Sequence, residues 1–508
     1  MAAVTAGSQH QPSVAVVGAG IAGLCTGLEL AAQGCRVTVL ERAASPGGKL
    51  RQAAHSGGAI DAGPTVLTMR EVFEQSFRAA GARLEEHLQL RPLGILARHA
   101  WGGGAMLDLH ADTARSADAI RDFAGSREAD GYLRFCADSR RVYETLDHSF
   151  LRVEQPSLRT LIAHAGVRGL PQLWRLRAFT SLWRALGRYF RDPRLRQLFG
   201  RYATYCGSSP FSAPATLMLV AHVEQAGVWQ IDGGMHSLAR ALSALLLARG
   251  ATLRCGVEVR QVHLRAGRFN ALELADGERL RADAAVFTCD AAAVGSGLFG
   301  RDASRAARPV SRAQRSLSAL TWTACVRTAD FELLRHNVFF SDDYAAEFAT
   351  LQSERRLPRQ PTVYVCAQDR ETVPGLAAGQ PERLLCLVNA PPIGDCHEFG
   401  SEEVQQCLTR TLATLQRCGL RLLGPPERLR PTTPTDFNRL YPGSGGALYG
   451  QATHGWRASF RRPGARTRIP GLYLAGGSTH PGPGLPMAAL SGRHAARCLL
   501  QDQGLTAR

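Results

Sequence analysis

The chain is predicted to be an α/β protein, and three stretches predict it. Val14–Val17 is an apolar run followed by Gly18-Ala19-Gly20-Ile21-Ala22-Gly23, a helical pattern and a second apolar run, Val37–Leu40, closed by Glu41. Far downstream, Ala284–Asp290 is an apolar strand ending in an acid. Near the end, Ile469–Gly477 is a buried-strand pattern that stops at a glycine pair, ahead of a helix from Met487 to about Leu500. Together they predict a Rossmann-type domain assembled from separated segments.

The first stretch carries the most chemistry. Gly18 allows the tight turn, Gly20 lets a pyrophosphate approach the backbone, and Gly23 lets the helix pack close to the strand. The helix N-terminus presents free N–H groups and the positive end of its dipole to phosphates. Glu41 stands where a carboxylate accepts hydrogen bonds from a ribose diol. Strand, turn and helix are in the order the motif requires, so a bound dinucleotide is expected. Two features favour FAD over NAD: Gly27, one helical turn beyond the fingerprint, and Pro46-Gly47-Gly48-Lys49, a second glycine pair with a cation.

At 508 residues the chain is long enough for about three domains, or two with insertions. The net charge of +17 would suit nucleic acid or an anionic membrane. Lys49 is the only lysine, however, and no arginine-rich tail, zinc-finger spacing or RNA-binding signature occurs, so nucleic acid is not an expected partner. The 13 cysteines form no C-x-x-C pair and no metal-ligand spacing, so reduced thiols in a cytosolic setting and no metal are expected. Residues 1–12 lack an apolar core, and no run reaches the ~18 apolar residues of a membrane span, so neither a signal peptide nor a transmembrane helix is expected.

After the fingerprint, His55–Thr65 is a glycine-rich turn around a short strand, with Pro64 stiffening its exit. A helix is expected from Glu71 to Ala80, and a hairpin over residues 90–110 around Gly102-Gly103-Gly104. Asp112 or Thr113 caps the following helices, which run to about Leu146. Residues 171–204 place Leu173, Leu176, Phe179, Trp183, Leu186 and Phe190 on one stripe with arginines between them, and Leu195, Phe199 and Tyr202 follow Asp192-Pro193. The pattern fits either a core-packed amphipathic helix or an interfacial one. Residues 252–281 are strands and a hairpin, and a strand ending near Val259 would set backbone groups beside an adenine. Residues 297–440 alternate strands with a helix at Glu402–Cys418, a mixed sheet with helices on one side. The predicted division is 12–75, 228–296 and 441–508 for the FAD-binding domain, 76–112 and 297–440 for a substrate domain, and 113–227 for an inserted helical subdomain.

The opening stretch resembles the N-terminal signature of the flavoprotein family that includes amine oxidases, Rab GDP-dissociation inhibitors and bacterial carotenoid desaturases. With Gly63-Pro64-Thr65, Val228–Met235, Gly445–Gly450 and Thr479-His480-Pro481-Gly482, nearly the whole chain resembles the bacterial and fungal phytoene desaturases. Pro483–Arg493 is most similar to the 1-hydroxycarotenoid 3,4-desaturases, also called hydroxyneurosporene or methoxyneurosporene desaturases. The resemblance implies that Gly18, Gly20, Gly23, Glu41 and Lys49 hold the FAD phosphates and adenosine ribose, that Val259 touches the adenine through its backbone, and that Gly63, Pro64, Thr65, Gly477 and Met487 line the flavin. Many related flavoproteins carry an acid where this chain has Gly477, so that contact passes to backbone or water.

The activity so implied is FAD-dependent introduction of a C-3,4 double bond into a 1-hydroxy or 1-methoxy carotenoid. The expected partners are a long apolar carotenoid and the inner face of a bacterial membrane. His480, His454 and Tyr449 are candidate bases by position, but each fits a structural or positioning role better, and no catalytic residue is assigned. Phytoene desaturation is the nearest alternative. A prenyl-binding protein of the GDP-dissociation-inhibitor type is the non-enzyme alternative. Amine oxidation is disfavoured, because Lys49 is committed to the cofactor.

Overall fold

The computed structural model describes residues 11–156, 179–370 and 380–505. A five-stranded parallel sheet is built from strands that are distant in sequence. Its order is Leu472–Leu474, Ala284–Phe287, Ser13–Val17, Arg36–Glu41 and Thr252–Cys255. Val14 lies opposite Ala284 on one side and Val37 on the other. Both faces are covered, so Ala15 and Val16 are equally buried, and the strand reads as a continuous apolar run rather than an alternating one.

Helix Ile21–Ala32 covers one face and packs on the C-terminal helix Leu485–Asp502. The approach is close: a Cβ at Gly492 would stand 2.4 Å from the Ala22 carbonyl. Gly27 faces the sheet and helix His236–Ala248 instead, because a Cβ there would press on Leu246 and Val39 at 3.2 Å. Its place in the glycine series therefore reflects helix packing, not cofactor type. The other face is covered by the antiparallel meander Val259–Arg265, Arg268–Leu274 and Arg279–Arg281. Val259 begins a strand there; the expectation that it ends one is corrected.

An eight-stranded mixed sheet forms the second layer system. It runs Arg421–Leu423, Ser318–Ala329, Glu382–Ala390, Val363–Ala367, His336–Phe339, Ile95–Ala100 and Met106–His110, with Arg430–Thr432 pairing onto Ser318–Ala329. Only the His336–Phe339 and Ile95–Ala100 pair is parallel. Successive side chains point to opposite faces. Leu384, Cys386 and Val388 join a core under helix Ser401–Arg417. Leu385, Leu387 and Asn389 face an internal cavity instead.

Helix Arg70–Ala79 contributes Val72, Phe73 and Phe77 to the core of the parallel-sheet unit. A boundary at 75/76 therefore cuts an element, and the segment as far as Leu88 packs with that core.

Helices Thr113–Ala124, Ser126–Leu146, Leu182–Leu186 and Pro193–Gly200 enclose an aromatic core. Phe199 lies 4.8 Å from both Phe135 and Phe190, ring centre to ring centre. Asp192 and Pro193 start a helix here: the Asp192 carboxylate accepts the Arg194 N–H at 2.8 Å, and proline occupies the first turn. Leu173 and Leu176 of the apolar stripe lie outside the described residues. Within them, Leu186, Phe190, Leu195, Phe199 and Tyr202 are core. Phe179 alone of the stripe's described members is strongly exposed, at 74%.

Candidate functional site

A cavity of about 1300 Å3 runs from the carboxyl ends of the parallel strands to the inner face of the mixed sheet. Single small-molecule sites occupy roughly 300–1,000 Å3, so this volume suits a large cofactor together with a second ligand. Gly18, Gly20, Glu41, Lys49, Gly63, Pro64, Thr65, Val259, Gly477 and Met487 all line it. Gly23 does not. A Cβ at Gly23 would sit 1.9 Å from the Gly18 carbonyl, so this residue keeps helix and turn in contact from behind.

The phosphate end is built from backbone. Gly18 has φ +104°, which favours glycine. A Cβ at Gly20 would meet only the Gly48 Cα, at 3.8 Å, leaving the rest of its surroundings open. Gly47 donates to the Ala19 carbonyl at 2.9 Å, so the second glycine pair docks directly on the first. No side chain caps helix Ile21–Ala32. Glu41 is held from two sides, Oε2 by the Ala19 N–H and Oε1 by the Ala43 N–H. An ionised carboxylate has about four acceptor positions, so lone pairs remain for a diol.

Lys49 Nζ donates to the Leu448 carbonyl and stands 5.4 Å from the Tyr441 ring centre. Two of its three N–H donors are left for a ligand. Burial lowers its pKa, against the opposing charge of Asp290. The Gly477 carbonyl and the Tyr449 carbonyl both accept from buried Arg462, at 3.2 and 3.1 Å. The C-terminal helix has Gly484 at its N-cap and Pro486 in its first turn, with no capping side chain, and this end faces the cavity. An uncapped helix end, an open glycine face and a fixed carboxylate are the parts a dinucleotide needs, and these residues fit FAD.

Apart from Thr65, the polar groups that line the cavity beyond the glycine turn carry no motif. Thr65 Oγ1 and His336 Nδ1 both bond the Tyr364 hydroxyl, each at 2.7 Å. Burial, with Arg335 and Arg201 nearby, pushes His336 down to about 3, so it is neutral. Arg201, Tyr205 and Glu224 also face the cavity. The one available signal was a polar residue breaking an apolar alternation, as Tyr364 does between Val363 and Val365.

Of the candidate bases, Tyr449 lines the cavity. His480 is buried behind it, with Nε2 bonded to the Phe150 carbonyl at 2.9 Å, and burial takes it down to about 3. His454 Nε2 accepts the Ser209 N–H at 3.3 Å.

The model of the flavin containing amine oxidoreductase family matches residues 21–500. The chain belongs to that family. It is 54% identical to the hydroxyneurosporene desaturase of Rubrivivax gelatinosus, over 97% of this chain and 94% of that protein. To the hydroxyneurosporene desaturase of Cereibacter sphaeroides it is 44% identical, over 97% and 98%. An oxidoreductase from Methanosarcina mazei shares the fold at 14% identity and a TM-score of 0.60, over 95% of this chain and 99% of that one. The chain is therefore a flavoenzyme, an oxidoreductase with FAD as its cofactor.

Proposed function

We propose that this enzyme is a carotenoid desaturase that introduces a C-3,4 double bond into 1-hydroxy or 1-methoxy carotenoids such as 1-hydroxyneurosporene. The observation that carries the reading is the continuity of one cavity from Glu41 to the apolar wall of Val338, Leu385 and Leu387. A polyene offers almost nothing to hydrogen-bond, so its site must supply apolar surface and position. The 54% identity to a hydroxyneurosporene desaturase supports the same reading.

Desaturation removes a hydride from a carbon beside the polyene and a proton from its neighbour. FAD, when bound, supplies the two-electron acceptor. In this reading Gly18, Gly20, Glu41 and Lys49 hold the phosphates and ribose, with Gly23 fixing the turn and Val259 meeting the adenine through its backbone. Gly63, Pro64, Thr65, Gly477 and Met487 border the flavin. The mixed sheet and the helices orient the chain and exclude water.

Delivery from the inner face of a bacterial membrane follows from the substrate's insolubility. Among the described residues no helix is long and apolar enough to cross a membrane. Phe179 is exposed and lies edge-on to Trp456 at 5.2 Å, with Arg457 over the Trp456 ring. Aromatic residues beside a cation suit a headgroup layer. Sedimentation with anionic vesicles tests this, and Phe179→Ser should lower the bound fraction.

The activity is tested by giving the purified flavoprotein 1-hydroxyneurosporene. A product with one more conjugated double bond is expected. FAD bound with no red-shifted product would overturn the reading.

A further inference from the structure

An apolar tunnel holds a polyene without fixing it. Hydrophobic contact is non-directional, so a shift by one carbon pair costs little. An enzyme acting on one bond near the chain end needs a directional contact. Among the polar groups that line the cavity, one cluster combines a charged donor with a carboxylate. Tyr205 donates its hydroxyl to Glu224 Oε1, and Arg201 Nη2 donates to the Tyr205 oxygen at 3.3 Å. Glu224 is only 7% exposed. The Arg201 Nε is buried and meets no partner among the described residues. A buried donor left without an acceptor is costly, and more so on a charged group. All three residues line the cavity, so a polar end of a bound ligand can hydrogen-bond to them.

We propose that Arg201, Tyr205 and Glu224 bind the terminal tertiary hydroxyl of the substrate, and that this contact sets which carbon–carbon bond is oxidised. The proposal rests on the desaturase reading above. An alcohol oxygen accepts from the Arg201 guanidinium on its cavity side, and its O–H donates to the Glu224 carboxylate. A methyl ether makes the first bond and not the second. A hydrocarbon end makes neither bond and shields the polar cluster from water without replacing its hydrogen bonds.

The location agrees with the chemistry. The C-1 oxygen is three bonds from C-3, about 4 Å when extended, so the anchor must lie close to the reacting carbons. Thr65, assigned above to the flavin border, is joined through Tyr364 to His336. The charge of Arg201 acts on both Tyr364 and His336. Anchor and flavin border thus share one stretch of the cavity.

The test compares 1-hydroxyneurosporene, its methyl ether and neurosporene on the holoenzyme and on Arg201→Met, Tyr205→Phe and Glu224→Gln. Binding is read by quenching of tryptophan fluorescence, and turnover by product absorption. Sites built around a substrate hydroxyl reject its deoxy analogue strongly. The wild type should prefer the alcohol over the hydrocarbon by roughly 100-fold or more. Arg201→Met should bring that preference below about tenfold. Glu224→Gln should bring the alcohol's affinity close to the ether's. Tyr205→Phe keeps the ring and decides the matter if Arg201→Met fails to hold flavin. A wild-type preference near one, or variants that retain it, would overturn the proposal. A binding preference for the alcohol with no new double bond would leave this site standing and remove the desaturase reading instead.

Discussion

Glu41 Oε2 accepts the Ala19 main-chain N–H at 2.7 Å, tying the end of the second strand to the glycine turn after the first. The same carboxylate takes the Ala43 N–H on its other oxygen at 2.8 Å. It is thereby fixed at the cavity wall before any ligand arrives. Glu41→Gln keeps the shape and loses the charge and one acceptor. Hydrogen bonds to charged groups are worth about 1.5–3 kcal/mol, so FAD affinity should fall by about 10- to 100-fold. Titration of apoprotein with FAD checks this, and an unchanged Kd would remove Glu41 from the ribose site.

Gly23, inside helix Ile21–Ala32, and Gly34, just past its end, separate two reasons for glycine. A Cβ at Gly23 would collide with the Gly18 carbonyl at 1.9 Å, whereas at Gly34 it would meet nothing within 4 Å and face only the penalty of φ +85°. Gly34→Ala should cost about 1–2 kcal/mol and retain flavin. Gly23→Ala should cost at least about 2 kcal/mol and release flavin as well. Urea unfolding with flavin absorbance measures both.

Glu347 is a buried acid whose Oε2 accepts from Ser341 and Thr362 at 2.8 and 2.7 Å, while Oε1 has no partner among the described residues. Burial raises its pKa from the ordinary 4.5 to about 7. The folded protein therefore binds a proton that the unfolded chain has lost. Stability from this group falls as pH rises from 4.5 to 7 and then levels, by about 3 kcal/mol in all. Melting temperatures of Glu347→Gln should lack that slope. A slope equal to wild type would show that Glu347 is not its source.

His480 and His494 stack at 6.2 Å and donate to the Phe150 and Leu151 carbonyls, joining the C-terminal segment to the helical one. Burial lowers them to about 3 and about 4, below the ordinary 6.5. Here the unfolded chain takes up the protons first. Their contribution is complete above pH 6.5 and is lost as pH falls toward 4 and 3. His480→Gln should flatten the acid limb of a stability profile. Loss of a catalytic base would cost about 10²–10⁴ in rate, and a change below tenfold is expected.

Elements whose cause is local were legible in advance. The glycine fingerprint, Glu41, the Asp112 cap and the proline of the last helix each depend on a few neighbouring residues, and all stand where expected. Periodicity was less decisive. The stripe through Leu186 and Phe190 showed an apolar face without showing what covers it, and in the fold it is aromatic core. Gly27 looked like part of a cofactor signature because spacing alone cannot separate helix packing from ligand approach.

The Arg201, Tyr205 and Glu224 cluster and the His336–Tyr364–Thr65 chain left no comparable trace. Thr65 and Tyr364 are 299 residues apart and touch through one hydroxyl. No local window contains both, and neither residue type is unusual alone. Backbone sterics and capping act over a few residues, so the amino-acid order was enough to name the cofactor and to place the glycine turn after the first strand. The substrate wall required the fold, because its contacts arise only when a mixed sheet and inserted helices close over one cavity.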